Sequence, residues 1–242
     1  MNLPVNPQTI PESAVELHVV RVFCGDGGAG GNPLGIVPDG AAVPGRARRR
    51  ALADRLGFSE TVFVDGPESG AVDIYTPGAR LPFAGHPLLG VAWRLRRTGL
   101  RADRLLTEAG PVPAWEDGGA DGTGWIRARP EWASGRRTER FGSVAELEAL
   151  PGPPAGEGWL YAWAWLDEPS GRVRARGFPR RPGGVAEDEA TGAAAIVLTA
   201  ELGRQLDIHQ GRASLIRTRP GPDGTVEVGG RVLPVEARIV EA

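Results

Sequence analysis

Two stretches of this 242-residue chain are apolar on every side of a helix, and each therefore demands enclosure. Gly85 to Leu100 is almost wholly apolar up to Leu95, and Thr191 to Leu206 (TGAAAIVLTAELGRQL) has the same character. A helix that is apolar all round is a buried helix. Strand-like segments surround each one. In the first half they are Val15 to Phe23, Leu34 to Val37, 60–64, 72–76 and 104–108. In the second they are Trp125 to Arg129, Trp159 to Leu166, Val173 to Phe178, Ser214 to Thr218, Thr225 to Val228 and Val232 to Val240. The 36 glycines and 22 prolines supply the turns between them. Each half is thus several short strands plus one buried helix, an α+β pattern that predicts two related lobes with a cleft between them. The Gly- and Asp-rich loop at 116–124 is the better boundary. It gives a flexible tail at 1–14, an N-terminal lobe at 15–118 and a C-terminal lobe at 119–242, from which the last strand is able to return to the first lobe.

Composition removes whole classes of chemistry. The chain has no lysine, so its 28 basic residues are all arginine. Schiff-base aldolases, pyridoxal-phosphate enzymes and P-loop hydrolases each need a lysine amine. The single cysteine, Cys24, excludes an intramolecular disulfide, a multi-cysteine zinc site and a racemase built on two opposed thiols. His18, His86 and His209 lack metal-ligand spacing, so no metal is expected. A formal charge of −2 argues against nucleic acid as a partner. No apolar run approaches the roughly 20 residues of a membrane span. The start, MNLPVNPQTIPESA, lacks the regions of a signal peptide, and a cytoplasmic protein is expected. GDGGAGG (25–31) lacks the Walker lysine and leads into a strand rather than a helix, against a nucleotide loop. Pro44 to Leu56 reads as an amphipathic helix stopped by Gly57, and RARRR (46–50) in its first half reads most plainly as a solvated face. Val15 to Phe23 shifts its apolar phase at Val20, which suggests a bulge.

Three segments carry chemistry. In FSETVFV (58–64) alternation places Phe58, Glu60, Val62 and Val64 on one face. If that face is buried, desolvation would suit Glu60 to exchanging protons near neutral pH, against the plainer reading of a solvated strand end. In LPFAGHPLLGVAW (81–93), Gly85, His86 and Pro87 stand where the first buried helix begins, with proline suited to the first helical position. The unpaired N–H groups there suit a carboxylate or enolate, and His86 is placed to orient substrate or simply to cap. In VAEDEATGAAAIV (185–197), Glu187, Asp188 and Glu189 precede the second buried helix, where the macrodipole alone favours acids. Facing each other, the two helix ends would form a cleft of paired anion-binding termini with acids and bases around it.

With these residues in place the chain resembles the PhzF family, the phenazine-biosynthesis-type isomerases that share a fold with diaminopimelate epimerase. The matching pieces are VRVFCGDGGAGGNPLGIV (20–37), LADRLGFSETVFV (52–64), DIYTPGARLPFAGHPLLGVAW (73–93), RGFPRRPGGVAEDEATGAAA (176–195) and VEVGGRVLPVEA (226–237). The resemblance implies two pseudo-symmetric lobes, each an antiparallel β-barrel around a central helix, and a homodimer. It makes Glu60 the catalytic acid/base, with His86 and Asp188 positioning substrate or relaying protons. Gly85 and Gly192 become backbone donors, and Asn32 and Ala193 further substrate-binding positions. The related epimerases use two cysteines at the helix starts; Ala84 and Thr191 stand there here, which closes the two-thiol route.

Three departures bear on the substrate. Glu189 and Ala193 replace the family's proline and serine, adding a charge near the cleft and removing a hydroxyl. The segment IHQGRASLIR (208–217) looks shortened. A substrate shaped differently from dihydro-hydroxyanthranilate is therefore expected. The resulting expectation is a cofactor-independent isomerase in bacterial specialised biosynthesis, moving a proton across an allylic, carboxylate-bearing small molecule. An amino-acid epimerase with Glu60 and Asp188 as opposed bases, and an inactive small-molecule-binding relative, are the alternatives.

Overall fold

The computed structural model describes residues 14–100, 102–118, 122–154, 158–181, 184–185 and 187–242. The expected tail, save Ala14, and the first residues of the expected second lobe lie outside them. Along the chain run β1 (Ala14–Cys24), β2 (Gly30–Val37), α1 (Arg46–Leu56), β3 (Glu60–Gly66), β4 (Ala71–Tyr75), β5 (Arg80–Leu81) and α2 (Gly85–Arg97). Next come β6 (Arg104–Thr107), β7 (Gly110–Glu116), β8 (Gly124–Ala128), β9 (Arg136–Arg140), α3 (Val144–Glu148) and β10 (Trp159–Asp167). The remainder is β11 (Arg172–Phe178), β12 (Arg180–Arg181), β13 (Gly184–Val185), α4 (Gly192–Leu202), β14 (Leu206–Gln210), β15 (Ser214–Pro220) and β16 (Val226–Glu241).

Fourteen of the described strands join one sheet, in the order β1-β2-β3-β4-β6-β7-β8-β16-β15-β14-β11-β10-β9, with β5 on β4. The sheet is mixed, where antiparallel strands alone were expected. Four neighbours are parallel: β2 with β3, β4 with β6, β9 with β10, and β11 with β14. The reason is topological. A parallel pair needs a crossover connection, and the described helices α1, α2, α3 and α4 fall one in each of those four connections.

The two apolar helices sit where their composition requires. Helix α2 packs against β1, β2, β3, β8 and β16, and α4 against β9, β15 and β16. Both belong to one continuous core containing Leu88, Leu89, Val91, Ala194, Ile196 and Leu198. Close packing leaves no room for a side chain at Gly90, whose added Cβ would lie 2.5 Å from Leu34 Cδ2 and 3.0 Å from Val22 Cγ2. Helix α4 is shorter than expected. It stops at Leu202, because Gly203 takes the left-handed conformation (φ 62°) that caps it. Leu206 then opens strand β14, and the segment expected as a shortened loop is a tight β14–β15 hairpin in which Gln210 faces Ser214.

The last strand is one 16-residue element rather than two. Its first part pairs with β8 and β15 and its second with β1. Gly229 and Gly230 do not break it. A Cβ at Gly229 would strike the Trp125 ring and one at Gly230 the Phe23 ring, so these glycines admit the aromatics. Pro234 is tolerated because it lies beside a bulge, where Val19 pairs Glu236 but Val20 pairs Pro234. That register shift coincides with the apolar phase change in β1; the extra residue, Val235, is on β16 rather than β1. A second shift places Phe23 at φ 68°.

A smaller core under α1 holds Leu17, Val37, Leu52, Phe63 and Tyr75. Both faces of β3 are thus buried, with Val62 and Val64 toward the α2 core and Phe63 toward α1. The arginine run in α1 is solvated except at Arg49. That side chain is 11% exposed and reaches Asp73 at 2.8 Å and Asp65 at 2.5 Å, with its guanidinium over Phe63. Asp73 also accepts from Arg80 Nε at 2.5 Å and from the Tyr75 hydroxyl at 3.0 Å. Burial alone would raise the Asp73 carboxyl, but the bonds from Arg80, Arg49 and Tyr75 outweigh it and hold the group below its ordinary value. A depressed carboxyl contributes stability above its unfolded pKa, about 3.9, and loses it as pH falls through the folded value. Asp73→Asn is therefore expected to cost about 2–3 kcal/mol near neutral pH. Urea unfolding against pH checks this: the gap between wild type and variant shrinks below about pH 4, and a constant gap would refute the assignment.

Candidate active site

The N-termini of α2 and α4 meet in the interior. A Cβ placed on Gly85 would lie 3.2–3.3 Å from the backbone of Gly192, and one on Gly192 would lie 3.2 Å from the His86 nitrogen. Glycine at both positions lets the two helix ends approach this closely. Ala84 and Thr191 are the N-caps, and neither helix has a side-chain cap. First-turn N–H groups left without a capping side chain suit an anion or a developing oxyanion. Pro87 is the third residue of α2, not the first. It is tolerated there because first-turn N–H groups have no helical acceptor in any case.

These ends open on a cavity of about 600 Å³. Its wall includes Glu60, His86, Asp188, Gly85, Gly192 and Ala193, six of the seven residues expected at the site. Glu60 is the first residue of β3, beside Leu34 of β2. Its Oε2 lies 3.4 Å from Nδ1 of His86, the second residue of α2, and the two side chains are 15% and 5% exposed. Asp188 precedes α4 and forms an antiparallel bridge with Gly177 of β11. Its carboxylate accepts from the Thr191 hydroxyl at 2.6 Å and from the Asn32 amide at 2.9 Å. Asn32, the seventh expected residue, is buried and also donates to the Ala190 carbonyl at 2.9 Å. It thereby ties β2 to the segment leading into α4.

Glu189 does not bring its charge to the cavity. Its Oε1 accepts from the Arg212 backbone N–H at 3.0 Å and from the Ser214 hydroxyl at 2.9 Å. Ser214 Oγ in turn accepts from Gly31 N–H at 2.8 Å. Glu189 thus staples the α4 approach to the β14–β15 hairpin and the β1–β2 turn. Gly211 leaves space for it, since a Cβ there would lie 2.4 Å from the Glu189 carboxyl carbon.

Sequence reading missed Arg136, Trp159 and the turn at Thr76–Ala79, which complete much of the wall. Arg136 and Trp159 are the paired first residues of the parallel strands β9 and β10. The RRTER of β9 has no apolar alternation to mark it as a strand. It missed Gln210 as well, a fully buried side chain that braces the α4 approach. Gln210 Nε2 donates to the Asp188 carbonyl at 2.8 Å and to Thr191 Oγ1 at 2.9 Å. Its Oε1 accepts from Thr191 N–H at 3.0 Å and from the Tyr161 hydroxyl at 2.9 Å. Among the described residues, no cluster of three or more His, Cys, Asp or Glu side chains is arranged to hold a metal. No described helix is long and apolar enough to cross a membrane.

Residues 20–129 match the family model of phenazine biosynthesis-like (PhzC-PhzF) proteins. The trans-2,3-dihydro-3-hydroxyanthranilate isomerase of Pseudomonas aeruginosa is 34% identical over 132 residues, 50% of this chain and 44% of that one. The chain spans less than half the length of the curated relatives it matches. A PhzF-family phenazine biosynthesis protein of Bacillus anthracis has the same fold at a TM-score of 0.70 and 18% identity, with 95% of this chain and 99% of that one covered. A "predicted epimerase" of Pseudomonas aeruginosa has it at 0.72 and 23% identity, with 93% and 99% covered.

Proposed function

Because this chain is a PhzF-like protein, we propose that it is a cofactor-independent isomerase that shifts a proton along an allylic, carboxylate-bearing small molecule. The observation that carries this reading is the placement of the Glu60 carboxylate, 3.4 Å from His86 and in one cavity with two helix N-termini that lack side-chain caps. Glu60 takes the proton from the allylic carbon. The electron pair left behind spreads into the unsaturated carboxylate system, and the same carboxyl returns a proton at the far end of the allyl unit, on the same face. The first-turn N–H groups at Gly85 and Gly192 stabilise the charge that develops between the two steps, commonly the largest catalytic contribution. His86 orients Glu60, and Asp188, held by Asn32 and Thr191, fixes the opposite wall.

Engagement of both Asp188 oxygens favours this one-base reading over an epimerase with Asp188 as second base. We read the strands closing around α2 and those around α4 as two lobes. The repeated order of crossovers, a peripheral helix and then a buried one, supports that division. Ala193 in place of a hydroxyl favours a substrate other than dihydro-hydroxyanthranilate. Deuterium uptake from D2O into allylic carboxylates, compared between wild type and Glu60→Gln, tests the proposal.

A further inference from the structure

Arg136 is a half-buried cation in a wall whose other charged side chains, among the described residues and apart from His86, are carboxylates. Among the described lining residues, the charged side chains are Glu60, Asp188 and Asp54 on the acidic side, with Arg136 opposing them and His86 beside Glu60. Nη1 of Arg136 donates to the carbonyls of Ala133 and Ser134, at 2.9 and 3.2 Å. Its guanidinium lies over the Trp159 ring, 5.6 Å from the centroid. Nε is buried and has no hydrogen-bond partner among the described residues. Burial pulls the guanidinium down from its ordinary pKa, and the charges of Glu60 and Asp188 oppose that.

Such a group is costly unless something completes it. A buried donor without an acceptor loses the hydration it had in the unfolded chain. The fork of a guanidinium matches a carboxylate with two parallel N–H···O bonds. Among the described lining residues Arg136 is the fixed cation that a carboxylate entering this cavity meets.

We propose that Arg136 is the receptor for the substrate's carboxylate, with Trp159 holding the guanidinium fork, and that it shares with the helix N-termini the charge that spreads into that carboxylate during proton transfer. The inference rests on the isomerase reading for what happens to the bound molecule. It goes beyond that reading in naming the group that selects it. The substrate class is then a small unsaturated carboxylate with its acid at the β9–β10 end and its reactive carbon toward Glu60. A neutral amide or ester of the same shape leaves the guanidinium unmatched and binds poorly.

The test uses isothermal titration calorimetry with carboxylate and amide pairs: anthranilate and anthranilamide, benzoate and benzamide, crotonate and crotonamide. Wild type is expected to bind the acid of at least one pair about 10- to 100-fold more tightly than its amide. Arg136→Met loses that preference while its affinity for the amide stays within a few-fold of wild type. Arg136→Lys, which keeps the charge without the fork, is expected to fall between them. A purely structural brace would weaken acid and amide together, so the ratio separates the two roles. Glu60→Gln keeps the preference, because binding does not depend on proton transfer. Equal or undetectable binding of acid and amide by wild type in every pair overturns the proposal, as does an Arg136→Met variant with the preference intact. Should Glu60→Gln still exchange deuterium while Arg136→Met loses the preference, the isomerase reading fails and Arg136 remains the carboxylate receptor.

Discussion

Glu60→Gln is expected to lower proton exchange on the true substrate by about 10²–10⁴-fold, the usual contribution of one general acid/base. The substitution keeps the shape of the side chain and leaves a polar group within reach of His86. Glu60 lies at a strand end in the cavity wall, its side chain 15% exposed and its Oε2 buried. The change conserves volume and removes a charge rather than burying one, so the thermal midpoint should stay within about 4 °C of wild type, a difference of about 1 kcal/mol or less. Glu60→Asp keeps the charge but withdraws the carboxylate by one methylene, and misplacement near 1 Å costs about 100-fold. Kinetics with circular dichroism on both variants separates chemistry from folding. Full activity in Glu60→Gln would remove Glu60 from the mechanism.

The second large effect is expected at Gln210. Both N–H bonds and both lone pairs of its amide are used, by Asp188 and Thr191 on one side and by Thr191 and Tyr161 on the other. Tyr161 is fully buried, and burial with the nearby Asp188 charge holds its phenol far above the ordinary range, so it remains a donor. Gln210→Ala strands the Tyr161 hydroxyl and the Thr191 N–H without acceptors, and each buried orphan costs about 1–3 kcal/mol. A loss of about 3–5 kcal/mol follows, or roughly 10 °C in the thermal midpoint of a chain this size. Because the same amide holds the approach to α4, activity should fall with stability even well below the melting range. Differential scanning calorimetry with activity measured at 10 °C reads both. An unchanged midpoint would contradict the network.

How much of this was legible in the sequence depends on how local the signal is. The two buried helices were plain because apolar runs such as Pro87–Trp93 and Gly192–Leu198 cover every side of a helix and leave few alternatives, and Ala84 and Thr191 stand at their N-caps as the motifs implied. Glu60, His86 and Asp188 were readable because each sits next to such an element boundary. Arg136 was not, since β9 gains its identity only from β10, its partner beyond α3. The role of Glu189 was misjudged for the same reason. Its partners Arg212 and Ser214 lie more than twenty residues away, and only the folded hairpin brings them to its carboxylate. The mixed character of the sheet was hidden too, because alternation records which face is buried but not which way a neighbour runs.

The most direct test of the central claim is proton NMR of turnover in D2O, with a panel of allylic carboxylates that includes trans-2,3-dihydro-3-hydroxyanthranilate. On this reading the Glu60 carboxyl, which lines the cavity with its side chain 15% exposed, exchanges its proton with the medium between the two transfers. The account predicts a product whose double bond has moved and which carries deuterium at the far end of the allyl unit. Deuterium confined to Cα with inversion there, or recovery of every compound unlabelled and unrearranged, would contradict it.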